Sequence, residues 1–395
     1  MCSLNGKKAA SFFFFFMWEN VLPCFFGARV TSFINEKYTD ITNTDSHGNT
    51  TQHVYYSGNH IDHTTLFSAL QESVDKVHTQ PMVNTFEQSN LQNTDLISLK
   101  SRIISLEKII SLYEDNVEYK HLLSLYKTYI SLNYDSERLV SAFDKKLRKI
   151  SRSFNSKLSV QESPIITIGT ILRILSVDEH LESIMNQYDH GDIQIISLGS
   201  GSDLRFQLDR YKNIHAIVEI DFKDALLLKQ SSLQKPAHNV KFIGMDLSNT
   251  KECIDALRTA IDPSKHVVIS MECLLCYLPI SISSEYFFFF KDHIPINKLH
   301  YLVYDPITTS ESDPFSDVMF DNLKKHNFLN LFALKEFKSI DEYVGRFGIG
   351  DRVKYKNLWQ YLKDRPDMNQ LCKLCQIDEF EELEILLSHY LIAYS

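Results

Sequence analysis

Hydrophobic positions along the chain change period near residue 163. Between Leu96 and Tyr134 they recur three and four apart, in IISLEKIISLYE and HLLSLYKTYISL, the spacing that lines one face of a helix. Two helices are predicted there, and LVSAFDKKLRKISRSF from Leu139 predicts a third with a solvated basic face. ESPIITIGTILRILSVDEHLESIMNQY opens on Pro164, a residue suited to a helix start, and reads as a further helix. Beyond it, short β-branched runs alternate with helical segments. QIISLG, HAIVEID, VKFIGMD, HVVISME and HYLVYD have the continuous apolar centres of strands buried on both faces. RFQLDRY, FKDALLLKQSS, KECIDALRTAI and the segment after Pro279 each suit a crossover helix. The alternation predicts an α/β fold, a Rossmann-like doubly wound and mostly parallel sheet with added N-terminal helices. The final EFEELEILLSHYLIAYS gives a helix and then a strand whose direction the pattern leaves open.

Before Leu96 the periodicity is weak. Residues 1–95 are expected to form a divergent, partly disordered extension, 96–162 a helical lid or cap, and 163–395 the main domain. Two homopolymeric runs, Phe12 to Phe16 and Phe287 to Phe290, are expected to resist burial in register and read as insertions or translated noncoding sequence. Lys7-Lys8 before AASFFFFFMW resembles the start of a signal peptide, but the apolar stretch is too short to span a bilayer and no clean cleavage site follows. A cytoplasmic protein without a membrane partner is the expectation.

Composition narrows the function. With 44% hydrophobic and 23% charged residues, the chain has the make-up of a folded soluble protein. A net charge of −9 and the lack of a basic array interleaved with aromatics argue against nucleic acid as partner. Seven cysteines in 395 residues fit a reducing compartment. Cys273-x2-Cys276 and Cys372-x2-Cys375 together offer four thiolates to a zinc ion. The first pair sits in the apolar run MECLLCYL, so buried, unliganded thiols are expected and no metal.

In an open α/β sheet the ligand lies at the carboxyl ends of the strands, where their order reverses. The first predicted strand runs into Gly199-Ser200-Gly201-Ser202-Asp203, where small residues let a ligand approach the backbone. Asp221 closes the second strand, placed to accept both hydroxyls of a ribose, and Asp246 closes the third, within reach of an adenine amino group or a nearby amide. Together they describe a bound adenosine. The structural alternative is that Gly201 makes a turn while Asp221 and Asp246 cap helices. NAD fits less well, because Asp203 near the start of the expected helix would repel a pyrophosphate.

These residues resemble the leucine carboxyl methyltransferase family, a branch of the Rossmann-like, class I S-adenosylmethionine-dependent methyltransferases. Pro164 to Arg173 matches the family's P-x-I-x-x-G-x-x-x-R, Leu198 to Asp203 its LG-x-G-x-D, Glu219 to Phe222 its E-x-D-F, and Glu272 to Leu278 its E-C-V-L-x-Y stretch. Tyr304-Asp305 and Asp313-x-Phe315-x3-Met319 also resemble family segments. The resemblance implies that Arg173 binds the methionine carboxylate of S-adenosylmethionine, Asp221 the ribose, and Asp246-Leu247 the adenine. Glu272 would sit beside the cofactor and Tyr277 on the acceptor side, while Lys229 pairs with a carboxylate. The family's N-terminal lysine has no clean counterpart; Lys145 or Lys146 is the nearest basic choice, and Thr167, Ile168 and Asp351 depart from the family pattern.

The acceptor that the resemblance implies is the C-terminal leucine carboxylate of type 2A protein phosphatase catalytic subunits. Such a carboxyl, titrating near 3.5, is already a nucleophile and needs no general base. Catalysis then rests on positioning and water exclusion. Arg346, in Gly-Arg-Phe, is a candidate guide for the incoming carboxylate, with a surface salt bridge as its rival reading. A monomer is expected. The alternatives are a methyltransferase acting on another carboxyl or small molecule, and an inactive cofactor-binding interaction protein.

Overall fold

The computed structural model describes residues 38–44, 50–56, 59–60, 83–133, 163–233, 235–317, 320 and 336–395, with side chains from Ser98 onward. The chain divides into two compact units, one within Phe13–Thr94 and one over Asp95–Ser395. In the smaller unit β1 (Tyr38–Thr44) pairs antiparallel with β2 (Thr50–Tyr56), which pairs with β3 (Asn59–His60). This hairpin lies within the segment expected to be a divergent, partly disordered extension, and its many threonines and tyrosines are residues that favour the pleated strand.

The two predicted N-terminal helices are α1 (Val83–Leu112), which belongs to the larger unit from Asp95 onward, and α2 (Val117–Asn133). The third, from Leu139, lies outside the described residues, as do Lys145 and Lys146. The helix α3 (Pro164–Met185) has its proline in the first turn and is buried along most of its length. Then follow β4 (Ile193–Leu198), β5 (Ala216–Asp221), α4 (Lys223–Ser232), β6 (Val240–Gly244), α5 (Thr250–Ala260), β7 (His266–Glu272), α6 (Ile280–His293) and β8 (Leu299–Pro306). The chain ends with α7 (Ile340–Gly345), β9 (Lys354–Asn357), α8 (Leu358–Lys363), α9 (Met368–Cys375), α10 (Phe380–Ser388) and β10 (Tyr390–Tyr394).

The sheet order is β6-β5-β4-β7-β8-β10-β9. Strands β4 to β8 are parallel, and β10 runs against both β8 and β9. From β4 the chain winds outward to β6 and then crosses back to β7, so the order reverses between β4 and β7. Alternating side chains feed two layers. Ile195, Val268 and Tyr304 pack with Leu99, Tyr126 and Ile171 on one face, while Ile196, Ile269 and Val303 pack with Leu257, Phe290 and Tyr343 on the other.

Two expectations are corrected. The first crossover is not an α-helix but two 3-10 turns, Arg205–Gln207 and Asp209–Tyr211. Its buried residues Phe206, Leu208 and Tyr211 stand two and three apart, which is not a helical stripe. The phenylalanine run at Phe287, expected to resist burial, is an ordinary part of α6. Successive helical residues turn by about 100°, so Phe287, Phe289 and Phe290 reach the core and Phe288, 70% exposed, points away.

Candidate active site

The turn after β4 is shaped by its glycines. Gly199 has φ +66° and Gly201 φ +45°, the left-handed region that glycine enters without penalty. A Cβ on Gly199 would also meet Leu274 Cδ1 at 2.9 Å. The Gly199 and Ser200 N–H groups donate to Ile220 O at 2.8 and 3.2 Å. Gly201 N–H donates to Asp221 Oδ2 at 2.7 Å, and Phe222 N–H to Asp221 Oδ1 at 2.6 Å. Burial raises the Asp221 carboxyl, and these two donors oppose the rise. Beneath the turn, the wholly buried Lys229 donates to Glu219, the pairing with a carboxylate expected for this lysine.

Asp246 follows β6 and is exposed, its Oδ1 accepting Ser248 N–H at 2.8 Å in the approach to α5. Leu247 is buried beside it, and its carbonyl accepts the Tyr286 hydroxyl at 2.8 Å. Phe222 leaves its ring 42% exposed next to Asp221.

Glu272, the last residue of β7, collects three guanidiniums. Arg102 Nη2 of α1 donates to Oε1 at 2.7 Å, Arg205 Nη2 to Oε2 at 2.8 Å, and Arg173 Nε of α3 to Oε1. Arg205 is used on all sides, its Nε donating to Asp203 Oδ2 at 2.6 Å and its Nη1 to Asp178 Oδ1 at 3.0 Å. Tyr126 of α2 donates to Asp203 Oδ1 at 3.2 Å. Burial alone would raise the Glu272 carboxyl, but the three guanidiniums hold it down at about 2. Asp203 is held well below the usual range against the same burial, chiefly by Arg205 and Arg102. Asp203 is therefore neutralised in place rather than left to face a ligand at a helix start.

Glu272, Asp203 and the three arginines line a cavity of about 90 Å³ with Gly199, Gly201 and Ser270. Small-molecule sites span roughly 300–1,000 Å³, so a larger ligand has to draw apart the ion pairs that fill this one. Arg173 is the best placed to exchange partners, with a side chain 23% exposed against 7% for Arg102 and 4% for Arg205. It meets Glu272 through Nε, which leaves its terminal Nη edge for another carboxylate.

Of the residues anticipated from sequence, Arg173, Gly199, Gly201, Asp221 and Glu272 converge here, and Asp246-Leu247 stand at the neighbouring strand end. Tyr277 follows β7 by one 3-10 turn, half-buried beside Cys276, Cys273 and Tyr390. Arg346 does not join them. It lies in the opposite layer, with its guanidinium 4.8 to 5.4 Å from the rings of Tyr343, Phe337 and Phe287. The side-chain alternation of β8 explains the separation, since Tyr304 faces Arg173 while Asp305 faces Tyr343 and Arg346.

Arg102, Arg205, Asp178, Tyr126 and Tyr390 were not anticipated. For Arg102 a signal existed: with Leu99, Ile103 and Leu106 it lies on the buried stripe of α1, where a charge needs a partner. The cysteines of the two CxxC motifs are free thiols, Cys372 and Cys375 on α9 and Cys273 and Cys276 after β7. Among the described residues no group of three or more His, Cys, Asp or Glu is placed to share a metal ion. No described helix is long and apolar enough to cross a membrane.

A sheet of this order, with one reversed strand, a glycine turn after its first parallel strand and an acid closing the next, defines a class I S-adenosylmethionine-dependent methyltransferase. The leucine carboxyl methyltransferase pattern matches residues 133–287. Over 283 residues the chain is 30% identical to leucine carboxyl methyltransferase 1 of Eremothecium gossypii, an alignment covering 62% of this chain and 83% of that one. The Kluyveromyces lactis protein of the same name is 28% identical over 263 residues, covering 58% and 77%. The chain belongs to the leucine carboxyl methyltransferase family, and its cofactor is S-adenosylmethionine. The fit is physical as well: close backbone approach at Gly199 and Gly201, a carboxylate at Asp221, and a partly free guanidinium at Arg173.

Proposed function

We propose that the protein methylates the α-carboxylate of the C-terminal leucine of a type 2A protein phosphatase catalytic subunit, in the cytoplasm and as a monomer. The observation that carries this reading is the protonation pattern around the site. Burial pushes the Cys273 thiol up to about 12 and holds the Cys276 thiol and the Tyr277, Tyr304 and Tyr390 phenols above their ordinary ranges. Those groups keep their protons at neutral pH, while Glu272, held at about 2, is too weak a base to take one. Asp221 and Asp305 are raised by burial, but Asp221 accepts two backbone N–H groups, and Asp305 accepts the Tyr343 hydroxyl at 2.7 Å and the Cys276 thiol. A site of donors without a base suits an acceptor that arrives ionised, as a chain-terminal carboxylate does.

Arg173, assisted by Arg102, would hold the methionine carboxylate of the cofactor, Asp221 the ribose hydroxyls, and Asp246, Leu247 and the Phe222 ring the adenine. Arg102 thereby supplies the second positive charge sought at Lys145 or Lys146. When bound, S-adenosylmethionine supplies an electrophilic methyl group. The residues around it orient the acceptor oxygen and exclude water, and no proton has to be moved. Tyr277 stands on the acceptor side of this arrangement. The test is incubation with tritiated S-adenosylmethionine and phosphatase subunit, intact or lacking its last leucine. Base-labile label on the intact subunit alone is the expected result; label on the truncated subunit, or label stable to alkali, refutes the acceptor.

A further inference from the structure

The reversed direction of β10 decides which of its ends meets the site. Tyr390 pairs with Pro306 and Ile392 with Tyr304, so the first residue of this strand, not its last, stands at the carboxyl edge of the parallel strands. Within β10, Tyr390 and Ile392 belong to the layer that holds Tyr304, whereas Leu391 and Ala393 face the other. Tyr390 therefore shares a face with Arg173. Its ring stacks on that of Tyr304, with centroids 5.9 Å apart and planes inclined by 20°, and the Arg173 guanidinium carbon lies 5.4 Å from the centre of the same Tyr304 ring. Tyr390 is half-buried, as is Tyr277, and the two lie close enough to influence each other electrostatically.

The backbone that carries Tyr390 is held from both sides. His389 O accepts Ile307 N–H at 2.9 Å, and His389 Nε2 meets Asp313 Oδ2 at 2.9 Å. Asp313 in turn accepts Thr309 N–H at 2.9 Å and the Phe315 and Ser316 N–H groups at 3.1 Å. The buried His389–Asp313 contact thus joins the loop after β8 to the start of β10 and fixes where the Tyr390 ring emerges.

We infer that Tyr390 is an acceptor-binding residue whose hydroxyl, with that of Tyr277, donates to the carboxylate being methylated. The inference rests on the carboxylate reading above and adds to it the residue that recognises the anion. A phenol on the guanidinium side of the sheet edge offers a hydrogen bond without competing as an anion. Its stacking on Tyr304 also limits the ring to a narrow range of orientations, so little freedom is lost on binding.

The experiment compares wild-type protein with Tyr390→Phe, using tritiated S-adenosylmethionine and the intact phosphatase subunit. Cofactor affinity is measured separately by titration calorimetry. Loss of one hydrogen bond to a charged group is expected to raise KM for the subunit about 10- to 100-fold, with cofactor affinity unchanged. A C-terminal peptide with a free carboxylate should inhibit wild-type protein far better than its amide, and the variant should lose most of that discrimination. An unchanged KM overturns the assignment, as does a weakening of cofactor binding equal to the loss in acceptor use, which would mark a general disturbance of the fold. Absence of base-labile label with wild-type protein overturns the carboxylate reading itself and takes this assignment with it. Label with wild-type protein and an unaffected variant overturns the role of Tyr390 alone.

Discussion

Glu272 and Asp305 close neighbouring strands of one sheet, and their surroundings move them in opposite directions. Glu272 faces the layer of α1 and α3 and meets Arg102, Arg173 and Arg205, which hold its carboxyl at about 2 in spite of burial. Asp305 faces Tyr343 and α7, where burial pushes its carboxyl up to about 6 and the Tyr343 hydroxyl, at 2.7 Å, the Cys276 thiol and the Arg346 guanidinium only partly oppose this. Arg346 itself is surrounded by the rings of Phe287, Phe337 and Tyr343. Guanidiniums balanced by carboxylates can exchange one anion for another. A guanidinium balanced by ring faces serves packing. The chemistry of a strand end is thus set by which layer its last side chain enters.

The largest expected effect comes from Arg205→Leu, which leaves Asp178 and Asp203 short of a buried partner. Removing one member of such a set costs about 3–5 kcal/mol, to be read from urea unfolding. If the unfolding midpoint does not move, the cluster is not the balanced charge set described.

Next come the two carboxyls, whose contributions to stability run in opposite directions with pH. Glu272 is depressed from its usual 4.5 to about 2, so its contribution is complete above about 4.5 and is lost as pH falls through 2. Asp305 is raised from 3.8 to about 6, so its contribution is complete below 3.8 and is lost as pH rises through 6. Each shift corresponds to about 3 kcal/mol. Unfolding free energies measured from pH 3 to 8 should lose the rising limb in Glu272→Gln and the falling limb in Asp305→Asn.

A smaller effect is expected on the cofactor. Arg173→Lys should weaken S-adenosylmethionine binding nearly as much as Arg173→Ala, by about 2 kcal/mol or roughly 30-fold, because an ammonium does not reproduce a two-pronged donor. Dissociation constants for the two variants, measured side by side, decide this. Equal affinity of the lysine variant and wild type would return Arg173 to a purely structural role. The smallest effect belongs to Arg346→Met, expected to leave cofactor affinity within about twofold and to cost about 1 kcal/mol of stability through lost contacts with the rings. A large loss of cofactor affinity in this variant would erase the contrast between the layers.

The parallel strands and their ends were legible because a strand buried on both faces writes its whole length in apolar residues, as in HVVISME, and only its last residue is free to be polar. Asp221 and Glu272 stand out in that way, whereas Arg173, on the helix α3, was legible only through the family resemblance. The direction of the final strand was not legible, since LIAY reads the same in either sense, and with it Tyr390 went unseen. Arg205 and Asp178 escaped for another reason: each stands among other polar residues, Asp203, Gln207 and Asp209 around the one and Glu179 and His180 after the other, and nothing local shows that they pair with each other across the fold. RFQLDRY carries apolar residues two and three apart, a spacing that marks its 3-10 turns off from a helix, and the four-phenylalanine run fits a helix because only Phe288 has to turn outward.

The Asp221 carboxylate receives its two backbone donors from Gly201 and Phe222 before any ligand is bound. Its lone pairs are aimed by the chain and not by the visitor, so the ordering is complete before encounter. Among nucleoside ligands that share a ribose and differ elsewhere, association should proceed at nearly one rate and affinity should be told apart by residence time.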